Sequence, residues 1–471
     1  MLAASFKRTK IVATIGPSTS SPEVLEELLL AGVNMYRLNF AHGTHEEHGE
    51  VLKAVRKLSE KHSKPAAVLA DIQGPKIRVG TLPADGLPFV RGTTVRFEYG
   101  ASYESTGIIP IQHDVSKYLK KGERVFLRDG QVQIEVEKIE KKLITGKVLS
   151  PGLVYSNQGM NLPDTDLGGE ILTAKDIADL EYAASINVDY IGYSFVQTAE
   201  DIENLRARLN KLGSDAHIIA KIETAAAIEN LEAIVQATDV IMVARGDLAI
   251  ETKPEAVPAM QRRMVELGKQ YHKPVIVATQ MLESMIQSQQ PTRAEVSDVA
   301  TAVLEGADAV MLSGETAMGL FPIEAVKMMK RVILYTEQQE EHKKEALRTI
   351  EGDHAKQNAI SSAAVVLAGQ LPAKVIVAET SSGQTAKNIS SLRPDMPIIM
   401  VTDHRRVYYQ MAIVWGGKSY LVDKMESALD QVIHQLKSAG NVKAGDALVV
   451  ASGHQPGLIG GTDSVSIKIV E

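Results

Sequence analysis

Short apolar runs of six or seven residues recur along the first two thirds of the chain. Most are followed by apolar residues at helical spacing. In order they are Lys10–Ile15, Met35–Phe40, Ala66–Ile72, Tyr190–Phe195, His217–Glu223, Val240–Gly246, Pro274–Gln280 and Ala309–Glu315. Each is rich in Val, Ile, Ala or Met and is bounded by polar residues or glycine. That is the pattern of buried parallel strands alternating with helices. Ser21 before Pro22 predicts an N-cap with proline at the first helical position. Thr292 with Glu295 three residues later predicts a capping box. Eight such units predict a closed (β/α)8 barrel, although the count also admits a doubly wound sheet.

The third and fourth runs are widely separated. From Gly74 to about Gly159 the intervening chain is rich in Gly, Val, Thr and Lys, with alternation over Val132–Val136 and turn signals at Lys121-Gly122 and Asp129-Gly130. It reads as a small β-barrel domain inserted in a barrel loop. A charged stretch, Glu337 to Arg348, follows the eighth unit and is expected to close the barrel domain, with Glu337–Glu345 read as a solvated helix face. Beyond it Val375–Glu379, Ile398–Thr402, Leu448–Ser452 and Val465–Val470 alternate with helical segments, as an open α/β domain would. The expected division is 1–72 with 159–338 for the barrel, 73–158 for the insert and 339–471 for the C-terminal domain.

The strand ends are unusually polar. They carry Arg37 and Asn39, Asp71, Lys221 and Glu223, Arg245 and Asp247, Thr279 and Gln280, then Ser313 and Glu315. Barrel enzymes place their chemistry at the C-terminal ends of several strands. A period of two sets Arg37 and Asn39 on one face, and Lys221 and Glu223 on another. Glu223 and Asp247 on neighbouring strands form an oxygen pair suited to Mg²⁺. Arg37 and Lys221 supply positive charge for a phosphorylated anion. One Lys-x-Glu alone is more often a structural salt bridge; polar ends on six of eight strands point to metal-assisted chemistry on a small anionic substrate.

Composition narrows the picture further. Net charge is −7 over 471 residues, with no long basic run, which argues against nucleic acid as the main partner. There is no cysteine, so disulfides and thiolate metal sites are excluded. The N-terminus carries no long apolar run and no stretch reaches membrane-spanning length. A cytoplasmic protein with no membrane partner is expected. Aromatics are only 4% of the chain, so the cores are aliphatic.

At these same positions the sequence resembles the pyruvate kinases, over essentially its whole length. The matching stretches are Lys10–Pro17 (KIVATIGP), Arg37–His45 (RLNFAHGTH), Asp71–Arg78 (DIQGPKIR), Lys221–Glu223, Met242–Leu248 (MVARGDL), Ala278–Met285 (ATQMLESM), Pro291–Glu295 (PTRAE) and Met311–Thr316 (MLSGET). The resemblance implies Mg²⁺-dependent transfer of the phosphoryl group of phosphoenolpyruvate to ADP, giving pyruvate and ATP, with Mn²⁺ as an alternative ion. Lys221 would stabilise the phosphoryl group in flight and Arg37 would contact it. Glu223 and Asp247 would hold the metal. The backbone at Gly246 and Asp247, with Thr279, would hold the substrate carboxylate. Thr279 and Ser313 would lie near the path by which the enolate gains its proton. Asn39, His42 and Arg78 would face the nucleotide. The insert would be a lid, and Pro291–Glu295 would lie near a contact in a homotetramer.

Departures from the family pattern carry information. Its monovalent-cation oxygens match Asn39, Ala41, Asp71 and the carbonyl of Ile72, but position 41 is usually Ser. Position 76 is Lys, which in the family goes with K⁺ independence; an ammonium can stand in for a small cation. Gln158 replaces a common Lys of the lid, and Ala249 a frequent Gly. In the C-terminal domain Thr380, Ser381, Ser382, Gly383, Gln384 and Thr385 match the effector-phosphate loop, and an ordinary capped loop is the alternative. Gln384 replaces a frequent basic residue, and the loop His454-Gln455-Pro456-Gly457 lacks the Trp-Arg of fructose-1,6-bisphosphate binders. A sugar monophosphate or a nucleotide is therefore as good a candidate effector. The competing readings are a barrel lyase acting on an enolate and a non-catalytic metabolite sensor. A lyase has no need of a nucleotide cleft, and a sensor has no need to keep Lys221, Glu223, Asp247, Thr279 and Ser313 together.

Overall fold

A computed structural model describes residues 6–128, 130–165, 172–339, 355–453 and 462–471. The eight barrel strands are Lys10–Ile15, Met35–Asn39, Ala67–Asp71, Tyr190–Tyr193, His217–Ile222, Val240–Ala244, Val275–Ala278 and Ala309–Leu312. Each pairs in parallel with its sequence neighbours, and the eighth closes onto the first. The doubly wound alternative is thereby excluded.

The pleat sorts each strand between two cores. Val12, Met35, Ala67, Leu69, Ile219, Met242, Ile276, Ala309 and Met311 pack inside the barrel. Ile11, Tyr36, Leu38, Val68, Ile218, Val277 and Val310 pack outward against the helices. Continuing the inward series at period two reaches Arg37 and Asn39, Asp71, Lys221 and Glu223, and Ser313. An aliphatic filling thus supports a charged upper layer.

The helices between strands form where local chemistry directs them. Ser21 accepts from the Val24 amide ahead of the helix Pro22–Ala31. Thr292 and Glu295 form the expected capping box at the start of Arg293–Glu305.

Three of the strand ends that fall short of their reading carry polar residues. The sixth strand stops at Ala244, and Arg245, Gly246 and Asp247 instead open the helix Arg245–Glu251. The seventh stops at Ala278, with Thr279 and Gln280 turned into the left-handed region at φ 67° and 54°. The eighth stops at Leu312, followed by the helical turn Gly314–Ala317. In each case the polar residues leave the ladder to serve the barrel mouth.

The insert contains a six-stranded sheet in the order Met160–Asn161, Arg124–Leu127, Val132–Glu140, Leu143–Val148, Thr94–Tyr99, Ile109–Ile111. Single-residue bridges Arg78–Gly159 and Val79–Ile111 draw its two edges together. Its own core includes Phe89, Phe97, Val132, Ile134 and Val136. Asp129 lies outside the described residues.

The C-terminal sheet has the order Gly417–Leu421, Ile398–Thr402, Val375–Glu379, Ala447–Ser452, Ser464–Ile469, parallel except for the last. The strand Gly417–Leu421 escapes a sequence reading because it is an edge strand with Lys418 and Tyr420 only half-buried. This domain closes the floor of the barrel. Ala412 and Ile413 pack among the barrel's inward residues, and the Tyr190 hydroxyl donates to the Gln410 carbonyl. Trp415 is buried there between the guanidinium groups of Arg8 and Arg393. Met329 belongs to the barrel's outer core, and Met328 packs against that core.

Glu337 corrects an expectation. It ends no solvated face: it is 5% exposed and accepts hydrogen bonds from the amides of Arg8 (3.0 Å) and Thr9 (2.7 Å). Positions 340–348 of that charged stretch lie outside the described residues. Glu337→Ala leaves the buried Thr9 amide without its acceptor. It is expected to cost about 1–3 kcal/mol, read as a lower denaturant midpoint at unchanged slope. An unchanged midpoint would contradict this.

Candidate active site

Lys221 stands at the centre of the upper layer. Its ammonium donates to Ser194 Oγ at 2.6 Å and lies 3.0 Å from Glu223 Oε1 and 3.4 Å from Asp71 Oδ1. Arg37 completes the set, with Nε 2.6 Å from Asp71 Oδ2 and a guanidinium N–H donated to Thr14 Oγ1 at 3.0 Å. The group is almost dry: Asp71 and Glu223 are each 1% exposed.

Burial sets the direction of each ionisation and the neighbours decide it. Burial opposes the Lys221 charge, but Asp71 and Glu223 outweigh it and raise the ammonium above its ordinary value. Burial would raise the Asp71 carboxyl, but Lys221 and Arg37 hold it below the usual range. For Glu223 burial prevails, helped by the charge of Asp247, and its carboxyl is raised despite Lys221. Arg37 and Lys221 thus hold two positive groups at the barrel mouth, where an anion can be received.

On the sixth and seventh strands the backbone is arranged by one side chain. Thr279 Oγ1 accepts from the Gly246 amide at 2.9 Å and donates to the Ala278 carbonyl at 2.7 Å. Arg245 turns away from the mouth to bind the Ala278 and Thr279 carbonyls and Asp298. Ser313 donates its amide to Glu315 Oε2 at 2.7 Å, while the buried Glu315 also accepts from the Leu282 amide. The barrel thus brings together Arg37, Asp71, Lys221, Glu223, Gly246, Asp247, Thr279 and Ser313.

The residues assigned to the nucleotide are spread over the end of the second strand, the loop after it and the insert. Asn39 Oδ1 accepts from the Ala41 amide at 3.2 Å, and the exposed His42 follows on the same loop. Arg78 donates to the Asn157 carbonyl at 2.9 Å inside the insert. Gln158 turns back to accept from the Tyr155 amide at 3.0 Å. Lys76 reaches across to Asp247 Oδ1 at 3.4 Å. Asn39 and Asp71 are register partners at the ends of the second and third strands, and the Ile72 carbonyl that follows accepts from the Ser194 hydroxyl.

A second tie joins insert and barrel. Asn161 donates to Glu251 Oε1 at 2.9 Å. Beyond these two ties, toward the fourth and fifth strands, lies a cavity of about 810 Å³ lined by Lys76, Tyr118, Phe195, Thr224 and Glu251 among others. Burial pushes the Glu251 carboxyl up to about 7, with Asp247 and Glu223 adding to it against the Asn161 hydrogen bond. The folded protein therefore holds this proton more tightly than the unfolded chain, whose carboxyl stays near 4.5. Its stabilisation is complete below that value and is lost as pH rises through about 7. Denaturation of wild type and Glu251→Gln across this window should show the decline in wild type alone. Equal declines in both would contradict the assignment.

The loop Thr380–Thr385 is built more modestly. Thr380 Oγ1 accepts from the Gly383 amide at 2.8 Å, and Thr385 meets Thr462 at 2.6 Å, so both hydroxyls serve the protein itself. Gly383 at φ 84° precedes the helix Gln384–Ser391, and Gln384 donates to Asn388. Ser381 and Ser382 stay half-exposed. The loop His454-Gln455-Pro456-Gly457 lies outside the described residues.

Sequence reasoning passed over Ser194, Thr14 and Glu251. A serine ending an otherwise apolar strand is the only signal the first could have offered.

Residues 6–326 match the family model for the pyruvate kinase barrel domain, and 358–468 that for its alpha/beta domain. A pyruvate kinase of Mycobacterium tuberculosis is 38% identical over 465 residues, 98% of each chain. One from Agrobacterium vitis is 40% identical over 468 residues, 98% of this chain and 96% of that one. A solved pyruvate kinase from Cryptosporidium parvum superposes with a TM-score of 0.90 at 32% identity, covering 99% of this chain and 96% of that one. With both domain models matched in order, and with relatives aligned from end to end, the chain belongs to the pyruvate kinase family of phosphotransferases.

Proposed function

We propose that this chain moves the phosphoryl group of phosphoenolpyruvate onto ADP with Mg²⁺. The observation that carries the reading is the ammonium of Lys221, held protonated among Asp71, Glu223 and Ser194 beside Arg37. Such transfers need positioning and charge neutralisation more than covalent help from the protein. Lys221 faces the phosphoryl group in flight, and Arg37 binds its oxygens. The Gly246 and Asp247 backbone and Thr279 receive the substrate carboxylate. Thr279 and Ser313 border the route of the proton to the enolate. Asn39, His42 and Arg78 lie on the nucleotide side, and the insert closes to exclude water.

The residues fit a divalent ion. The Asp247 charge adds to the cost of ionising Glu223, and in this structure both carboxylates have ammonium partners, Lys221 and Lys76. Among the described residues there is no group of three or more acidic or histidine side chains placed for a metal. Mg²⁺ commonly takes one or two carboxylates and completes its shell from substrate and water. When bound, the ion would neutralise charge on the transferring phosphoryl oxygens. Mn²⁺ would serve in its place.

K⁺ is expected to be dispensable, because Ala41 offers no side-chain oxygen and Lys76 brings its own positive charge to the mouth. The assay is pyruvate formation from phosphoenolpyruvate, ADP and Mg²⁺, with and without K⁺. Equal rates support both parts of the reading. A large loss without K⁺ keeps the reaction and overturns the role of Lys76. No turnover in either buffer, repeated with sugar phosphates and nucleotides present, favours the lyase or sensor.

The same reading includes a cytoplasmic homotetramer regulated at Thr380–Thr385 by a sugar monophosphate or nucleotide. Met318 and Leu320, 66% and 65% exposed, support a subunit contact at the end of the eighth barrel unit. Among the described residues no helix is long and apolar enough to cross a membrane.

A further inference from the structure

The ends of the fourth and fifth strands hold an arrangement that the family's motif residues do not account for. Ser194 and Phe195 follow the fourth strand directly, and each makes one polar contact to the pair Lys221 and Glu223. Ser194 Oγ accepts from the Lys221 ammonium at 2.6 Å, the shortest of that ammonium's contacts. The Phe195 amide donates to Glu223 Oε2 at 2.9 Å.

Two further facts fix how these groups point. The single hydroxyl proton of Ser194 is committed to the Ile72 carbonyl at 2.8 Å. A lone pair of Oγ is therefore turned toward Lys221, and Ser194 acts on it only as an acceptor. Ser194 is also 1% exposed, so no water competes for that lone pair. Phe195 adopts φ 58°, in the left-handed region, which costs a non-glycine residue energy and persists only where the surroundings impose it. That turn carries the amide next to Ser194 toward Glu223.

The dipeptide also touches the entrance to the insert. A Cβ placed on Gly74 would lie 3.1 Å from both Ser194 Cβ and Phe195 Cδ2, and Gly74 itself sits at φ 67°. Gly74 lies where the chain leaves the third barrel strand for the inserted domain. Gly74 therefore packs directly on the residues that hold Lys221 and Glu223.

We propose that Ser194-Phe195 is a positioning element that keeps the Lys221 ammonium from collapsing onto Glu223, so that Glu223 stays available to a divalent cation. Without Ser194 the ammonium has only carboxylates to turn to, Glu223 at 3.0 Å and Asp71 at 3.4 Å. A tighter Lys221–Glu223 pair withdraws Glu223 Oε1 from metal binding and pulls the ammonium away from the phosphoryl group. Ser194 is the acceptor that offsets this attraction without adding negative charge. The proposal rests on the transferase reading for its kinetic consequences, but its binding consequence can be read without turnover.

The test compares wild type with Ser194→Ala and Ser194→Thr. Mn²⁺ binding is titrated by electron paramagnetic resonance in the presence of phosphoenolpyruvate and without nucleotide, alongside kcat, KM and the thermal midpoint. Ser194→Ala should weaken Mn²⁺ binding and lower kcat, each by about 10–100-fold, with KM for ADP unchanged. Ser194→Thr keeps the hydroxyl acceptor and should recover most of both. A Ser194→Ala protein that binds Mn²⁺ and turns over like wild type overturns the proposal. So does one that loses only thermal stability, which would mark Ser194 as structural. If Ser194→Thr does not fold, Ser194→Ala alone still decides on Mn²⁺ affinity. A wild type that binds Mn²⁺ but never makes pyruvate sinks the transferase reading, while the Mn²⁺ comparison still judges Ser194.

Discussion

Lys221→Met is expected to lower kcat by about 10³-fold or more, the range seen when a positive group facing a transferring phosphoryl is removed. Methionine keeps the length of the stem and removes the charge. In the native cluster the ammonium offsets Asp71 at 3.4 Å and Glu223 at 3.0 Å. With it gone, two almost fully buried carboxylates share Arg37 alone. Breaking such a buried pair costs about 3–5 kcal/mol when the remaining charge cannot neutralise. Glu223, already raised by its burial, would take up a proton and relieve part of that cost. The variant should therefore fold, with a lower denaturant midpoint, and should be nearly inactive at saturating substrate. Circular dichroism and a prolonged coupled assay check both halves. A kcat within tenfold of wild type would remove Lys221 from the reaction.

Glu223→Gln should separate metal binding from folding. The amide keeps an acceptor for the Phe195 N–H and loses the charge that draws a cation. It also ends the repulsion with Asp247 that burial makes expensive. Stability should hold or rise slightly, whereas kcat should fall by about 10²–10³-fold and the Mg²⁺ concentration for half-maximal rate should increase. Asp247 remains as one carboxylate, so binding should weaken without vanishing. Unchanged Mg²⁺ dependence would mean that the ion is held elsewhere.

Both predictions concern residues visible in the sequence, and the reason is physical. A barrel strand is buried on both faces, so its runs are continuous and aliphatic and stand out from their surroundings. A charged residue at period two from Met35, Leu69 or Ile219, as Arg37, Asp71 and Lys221 are, can only point into the barrel. What the sequence does not state is where each run leaves the ladder. Thr279 reads as a strand end, yet its left-handed turn exists because its hydroxyl holds the Gly246 amide on the neighbouring segment. The same contact helps to place Arg245–Glu251 as a helix. These are long-range bonds with no local signature.

Glu337 and Ser194 escaped for complementary reasons. Glu337 sits in a run of charge that normally faces water, but the two amides ahead of the first barrel strand need an acceptor and take it inward. Ser194 has no charge to mark it, and its importance comes entirely from a lysine one strand away. The edge strand Gly417–Leu421 lacks the aliphatic density of its neighbours because only one side is paired. In the loop Thr380–Thr385, hydroxyls that suggested a phosphate site are spent on the Gly383 amide and on Thr462.

The measurement that bears most directly on the account is phosphorus NMR of phosphoenolpyruvate and ADP mixed with Mg²⁺ and the purified protein in K⁺-free buffer. The account expects the phosphoenolpyruvate resonance to disappear in step with a growing γ-phosphate resonance of ATP, with little inorganic phosphate. Loss of phosphoenolpyruvate into inorganic phosphate alone, or an unchanged spectrum that K⁺ and effectors do not alter, would contradict it.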